Sequence, residues 1–475
     1  MSGRSIGIHK DHLSRTIGTG FLIAVVFAAL AHGAVESWSV FVFEGMIIAL
    51  ILLWCIKVVA DKRLNLNIPD IAIPIAALVA VGLVQSIAIT NGAGRWISLS
   101  RNVEYTRAAV TVLIFLGVSF LIAANFFGTR ERLSVLSHFL MIYGFGMAMF
   151  ALIQHFTWNG KFYWIRATEA TSAFGPFANH NHFAGHMEML VLLPVALIVT
   201  RGVRAELRVL YGFAATVMGL AIVLSLSRGG IISFTAGLIF LGVVSLRLPR
   251  RHHSRAERSH VAQLVSRFAI VVAIIAMISG GIFWLGADPV INRIKVGQAA
   301  SAGQSETFFS SRGWVWRDTI AMIKANPLLG VGLGAYDTAF SMYTKSDGSL
   351  RVPQAHNDYL QILADCGVAG GIIAAWFLII LFRTVMRGIR SRDPLYAGLA
   401  LGSGSGILAL LVHSLFDFNL QLPANALLFL VLVAIAVYAA AAAKLESRAS
   451  GQSLGAKSNR IETEIVSSAS LVRGV

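Results

Sequence analysis

A chain of 475 residues that is 56% hydrophobic and only 13% charged, with a mean hydropathy of +0.72, is not an ordinary water-soluble domain. It reads as an all-α polytopic membrane protein, so its net charge of +16 bears first on topology and only then on nucleic acid. Two cysteines, Cys55 in an apolar run and Cys366 at a helix end, are too few and too differently placed for a disulfide framework or a metal cluster.

A helix needs about 20 apolar residues to cross roughly 30 Å of hydrocarbon. In chain order, a basic lead (1–16) without a small-residue cleavage site enters a retained first span. Twelve spans are predicted: 17–32, 38–59, 71–90, 105–126, 133–157, 182–200, 207–226, 229–246, 268–287, 368–386, 396–414 and 424–443. The first nine (17–287) and the last three (368–443) flank a long connection, 288–367, and a polar Ser/Gly-rich tail, 444–475, is expected to be disordered. An even number of spans puts both termini on one side. With that side cytoplasmic, the inner segments hold 26 of the 39 Lys and Arg, and seven of the other 13 fall in the long connection, whose length exempts it from the positive-inside rule. "RLPRRHHSRAERSH" (247–260) is then an inner anchor facing anionic lipid, and 288–367 lies outside.

The outer segments carry the candidate chemistry. "NGAGRWISLSRNVEYTR" (91–107) brings Arg95, Arg101 and Arg107 outward. In "FGPFANHNHFAGHMEM" (174–189), His182 and His186 stand four apart with His180 nearby, a spacing that can hold a metal. The acid that would accompany such a site is missing and Glu188 points elsewhere on the helix, so polar packing at a span mouth is the reading and no metal is assigned. Arg228 lies in "SLSRGG" (225–230), a minimal outer turn between spans seven and eight where the charge bias does not require it. Its fork can meet a phosphate at headgroup level, the alternative being simple snorkelling.

Within the long connection, "SSRGWVWRDTIAMIKANP" (310–327) predicts an amphipathic surface helix: Trp316, Ile320 and Ile323 share a face, Ser311 is a possible N-cap, Asn326-Pro327 a stop, and Arg312 begins it. Gly330, Gly332 and Gly334 alternate, but no strand precedes them and no Lys-Ser/Thr follows, which favours a turn or close backbone approach over a nucleotide loop. "QAHNDYLQILADCG" (354–367) predicts a short helix from about Asn357 with Leu360 and Leu363 on one face and Gly367 as its stop. His356 sits at its mouth, where the helix dipole and Asp358 act on the ring in opposite senses; it is a general-base candidate or a cap.

Taken in order, "SRGG", "SRGWVWRDTIAMIKANPLLGVGLGAY" (311–336) and "HNDYLQILADCGVAGG" (356–371), together with "GPFANHNHFAG" (175–185), resemble the O-antigen ligase and O-antigen polymerase superfamily over roughly 170–380. The resemblance implies a glycan transferase of the bacterial inner membrane, its active site facing the periplasm, that uses an undecaprenyl-pyrophosphate-linked saccharide and no cofactor or metal. It implies that Arg228 and Arg312 hold the pyrophosphate and that His356 activates the acceptor hydroxyl. Arg317, Asn357, Asn181, His182 and Arg101 complete the expected substrate-binding set. The motifs are common to ligases acting on a lipid A core and to polymerases of surface polysaccharide. We lean to the latter because nothing else in the chain speaks for a lipid A core partner, with protein glycosylation a further option. A twelve-span transporter would join two repeated halves by a long inner loop, whereas here "RGVRAELR" (201–208) follows span six and the long connection follows span nine.

Overall fold

A computed structural model describes residues 2–90, 96–167, 173–246, 308–345 and 351–472. Helices α1 (Ser2–Leu30), α2 (Ser37–Asp61) and α3 (Ala72–Gln85) lead to an antiparallel hairpin, β1 (Ala88–Thr90) with β2 (Trp96–Ser98), in which Ile89 is opposite Ile97. Then come α4 (Val103–Phe126), α5 (Arg130–Phe156), a second hairpin of β3 (Lys161–Phe162) and β4 (Arg166–Ala167), α6 (His180–Thr200), α7 (Arg208–Leu224) and α8 (Arg228–Leu246). The chain resumes with α9 (Phe308–Ala325), α10 (Tyr336–Phe340), α11 (Asp358–Ile389), α12 (Pro394–His413) and α13 (Pro423–Val472).

Among the described residues, ten helices are long and apolar enough to cross a membrane, so this is a multi-pass, all-α membrane protein. The expected span 268–287, the basic run 247–260, Arg95 and the start of the long connection lie outside the described residues. The third expected span, 71–90, is corrected: α3 has 14 residues and ends at Gln85. That buried amide donates to Leu329 O (2.6 Å) and Asp365 O (2.8 Å) and accepts from Leu333 N (3.0 Å), which ties this end of the helix to the long connection.

Helix α6 forms the centre, buried from His182 to Thr200. Gly398, Gly402 and Gly406 of α12 lie against it; a Cβ at Gly402 would fall 2.8 Å from Leu193 Cα, so small residues set the helix spacing. The helix ends define two faces. One is fastened by Arg130 Nε to Asp393 Oδ2 (2.8 Å) and Ser391 Oγ to Glu446 Oε1 (2.9 Å). The other joins Gly33 O to Ala424 N (3.2 Å) and holds the N-termini of α6, α8 and α11 and the C-terminus of α12. α13 continues past its apolar part, Pro423–Ala449, into the polar tail that composition marks as disordered.

The glycine loop follows the close-approach expectation. Gly330, Gly332 and Gly334 have φ of 69°, 111° and 74°, and a Cβ at Gly330 would lie 2.4 Å from Ala364 O. Val331 N and Gly332 N bond Ala364 O (2.9 Å) and Asp365 O (3.0 Å). The expected stop at Gly367 is a break inside α11 (φ 60°, ψ −156°), where Val368 N turns to Pro327 O at 2.8 Å.

Two local expectations are overturned. α9 begins at Phe308, so Ser311 lies within it and is no N-cap. Its buried side chains are Val315, Asp318, Thr319 and Met322, with Thr319 Oγ1 on the buried Tyr336 hydroxyl at 2.6 Å, while Ile320 is exposed and Trp316 and Ile323 are half-buried. In the first turns of α11, Asp358, Gln361 and Asp365 are buried and Leu360 and Leu363 only half-buried. The inward face there is polar because it packs against backbone groups of the glycine loop and of the segment after α12.

Candidate active site

The site is built where α11 begins. Asn357 is its N-cap: Oδ1 accepts from Tyr359 N (2.9 Å) and Leu360 N (3.0 Å), while Nδ2 donates to Leu415 O (3.0 Å). Asp358 accepts from Ser414 Oγ (2.7 Å) and Leu420 N (3.2 Å), and Tyr359 donates its hydroxyl proton to Leu411 O (2.8 Å). The start of α11 is thereby fastened to the end of α12 and to the segment 414–422. Since Asn357 does the capping, His356 does not. His356 stands one residue earlier in the left-handed region (φ 50°), an uncommon conformation for a side-chain-bearing residue. Its predecessor is pinned twice, by Gln361 Oε1 on Ala355 N (2.8 Å) and by Trp316 Nε1 on Ala355 O (3.1 Å).

The pinned imidazole faces Asp417. His356 Nδ1 lies 3.5 Å from Asp417 Oδ1, and His182 Nε2 lies 3.9 Å from the same oxygen. Asn181 Nδ2 donates to Asp417 Oδ2 (2.7 Å), Arg312 Nη2 lies 3.7 Å from that oxygen, and Arg312 Nη1 donates to Phe416 O. The Phe418 ring stands edge-on to both imidazoles, its centroid 4.8 Å from His182 and 5.0 Å from His356. Asp417 is 1% exposed, while the His356 side chain is 30% exposed, so the acid is interior and the imidazole opens outward.

Burial pushes the Asp417 carboxyl up, but His356, His182 and Arg312 outweigh it and hold the group well below the usual carboxylate range. Burial lowers Arg312 from the ordinary guanidinium value, with Asp417 opposing. The sequence reading set Asp358 beside His356 as the acid acting on the ring. The structure corrects this, because Asp358 is engaged by Ser414 and Leu420 whereas Asp417 approaches the imidazole. Asp417 had a legible sign: it is the one acid between Asp393 and Glu446, set between two apolar spans.

Arg228 is not in a three-residue turn but is the first residue of α8, and it is exposed. Ser227 before it donates to Asn181 Oδ1 (2.8 Å), placing Arg228 beside a hydrogen-bonded chain that ends on Asp417. Arg317 turns to Asp318 Oδ1 (2.9 Å), away from Asp417, and Arg101 is exposed with its backbone N–H on Val331 O (2.8 Å). His182 and His186 go separate ways: His186 meets the Tyr143 hydroxyl (2.7 Å) and Asn425 Oδ1 (2.8 Å). Glu188 meets His413 Nδ1 (3.2 Å) in the interior, and His413 O accepts from Asp417 N (3.0 Å).

Residues 213–375 match the family model described as O-antigen ligase. Over that segment the chain is similar to the O-antigen ligase family. This O-antigen ligase match is narrower than the resemblance over 170–380, and it contains Arg228, Arg312, His356 and Asn357. Asn181, His182 and Asp417 lie outside it; Asn181 meets the matched segment through Ser227, and Asp417 through Arg312 and His356. No curated protein matches the chain.

Proposed function

We propose that this protein transfers a saccharide from undecaprenyl pyrophosphate to an acceptor hydroxyl at the periplasmic face of the bacterial inner membrane. The observation that carries the reading is the convergence of His356, His182 and Arg312 on one buried carboxylate at a single helix-end face. With Nδ1 turned to Asp417, Nε2 of His356 is the nitrogen for the acceptor. The acceptor oxygen attacks the anomeric carbon while its proton passes to Nε2. The bond from that carbon to the pyrophosphate oxygen breaks, the electron pair leaves with the lipid pyrophosphate, and the configuration inverts. Asp417 stabilises the imidazolium so formed, and Arg228, at the positive end of α8, acts with Arg312 on the leaving charge. No metal is needed in this scheme, and full activity in EDTA is the expected result.

Arg228→Lys and Arg312→Lys keep the charge but lose the planar fork. Each should lower transfer roughly tenfold or more with membrane insertion intact. Full activity in both would leave the arginines as headgroup anchors. The orientation is tested by cysteines at Ser254 and Ser346, both outside the described residues: a membrane-impermeant thiol reagent should label the second and not the first in intact cells, and labelling of Ser254→Cys would reverse the assignment.

Among acceptors we favour a second lipid-linked repeat, as in a surface-polysaccharide polymerase. The polysaccharide of a deletion strain separates the options. Single repeats on the lipid A core, or a lost capsule, mark a polymerase, whereas long chains retained on undecaprenyl pyrophosphate mark a ligase.

A further inference from the structure

Asp417 is held on two sides. Its Oδ1 accepts from Phe418 N (2.9 Å) and faces His356 and His182, while its Oδ2 accepts from Asn181 Nδ2 (2.7 Å) and faces Arg312. Of these four side chains Asn181 approaches nearest, with His356, Arg312 and His182 at 3.5, 3.7 and 3.9 Å. The amide on one oxygen thereby sets which oxygen is turned to the imidazole.

Asn181 has a second arm. Its Oδ1 accepts from Ser227 Oγ (2.8 Å), and Ser227 Oγ in turn accepts from Gly230 N (3.0 Å). Ser227 thus caps the start of α8, one residue before Arg228. Its single hydroxyl proton goes to the amide oxygen, and a carboxylate can only accept, so the relay runs one way, from hydroxyl to amide to carboxylate. Ser227 and Asp417 are 0% and 1% exposed, which makes both ends interior. The backbone agrees with this link: Asn181 lies in the first turn of α6, and a Cβ at Gly230 would fall 2.5 Å from Ala184 Cβ, about one turn further along. Glycine lets α8 close on α6 to the distance that the relay spans.

We propose that Asn181 is a positioning residue and not a substrate contact: one arm of its amide holds Asp417 toward His356, and the other holds the start of α8 that carries Arg228. The base and the leaving-group arginine then share one reference point, and their separation is set by a single side chain. The catalytic consequence rests on the transferase reading, whereas the relay itself does not.

The test compares Asn181→Ala, Asn181→Asp, Asp417→Asn and the exchange variant that combines the last two. Each is followed in the full-length protein in detergent by thermal unfolding and by transfer rate over a range of donor and acceptor concentrations. Asn181→Ala should lower the maximal rate about 10- to 100-fold and leave half-saturating concentrations within about twofold of the wild type. Asn181→Asp, nearly the same in shape, should be worse in both rate and unfolding midpoint, because it sets carboxylate against carboxylate. The exchange should recover the midpoint lost in Asn181→Asp, since an amide again meets a carboxylate, but not transfer, since the charge has left position 417. Recovery of this kind does not follow from a space-filling role. A raised half-saturating concentration in Asn181→Ala with the maximal rate kept would make Asn181 a substrate contact and overturn the proposal. An Asn181→Asp variant no worse than Asn181→Ala, or an exchange that recovers nothing, would overturn it too. If Asn181→Asp does not fold, Asn181→Ala still decides through rate against half-saturation. A wild type without transfer, together with a recovered midpoint in the exchange, would sink the transferase reading and leave the relay standing.

Discussion

His356→Ala should lower turnover about 10²–10⁴-fold while leaving the affinity for the lipid-linked donor largely intact. A general base acts on the proton in flight and contributes little to the ground state, whereas the arginines meet the donor's charge before and after the reaction. Single-turnover kinetics with a radiolabelled lipid-linked saccharide, alongside direct donor binding, separate the two quantities. Parallel loss of binding and turnover would assign His356 a positioning role instead. The left-handed conformation of residue 356 sharpens the experiment. Alanine must adopt the same backbone, so far-ultraviolet circular dichroism and thermal unfolding should accompany the kinetics to show that the start of α11 is still held by Asn357 and Asp358.

Asp417→Asn should lower turnover by a similar factor, roughly 10²–10⁴, through loss of the carboxylate that orients and stabilises the imidazole. The amide keeps the shape but removes the charge from beside His356, His182 and Arg312. If the carboxylate acts through His356, the double variant with His356→Ala should be hardly worse than either single one. Multiplicative losses would mean that Asp417 works by another route. The stability of this variant also has a defined pH dependence. A carboxyl held below its unfolded value contributes stability that is fully present above that value, about 3.9, and is lost as pH falls through the lower folded value. The difference in unfolding midpoint between the wild type and Asp417→Asn should therefore hold steady from neutral pH down to about pH 4 and close only below it. A gap that closes between pH 7 and 5 would contradict the depressed carboxyl.

Composition and periodicity determined a good deal here. Long apolar runs commit the chain to membrane helices, and the ten observed ones follow expected spans because a stretch of that length in lipid has no other way to satisfy its backbone. The glycines of the loop and Gly367 were legible because only their backbone freedom fits those turns. His356 was legible from its place before a helix start, which Asn357 realises as a cap. Packing decided the rest. Asp417 belongs to a different stretch of chain, and it reaches His356 only because Asp358, Asn357 and Tyr359 bind the backbone and side chains between Leu411 and Leu420. The inward face of α9 likewise includes Thr319, whose hydroxyl meets that of Tyr336, a partner from another helix. α6 shows why the sequence could not reach further. Its residues are apolar on nearly every side and buried from His182 to Thr200, and in a bilayer lipid is as apolar as a neighbouring helix, so no periodicity tells which side meets protein. Which polar groups end up facing each other is then decided by close helix contacts, such as Gly402 against Leu193, and by hydrogen bonds that form only once those helices have packed.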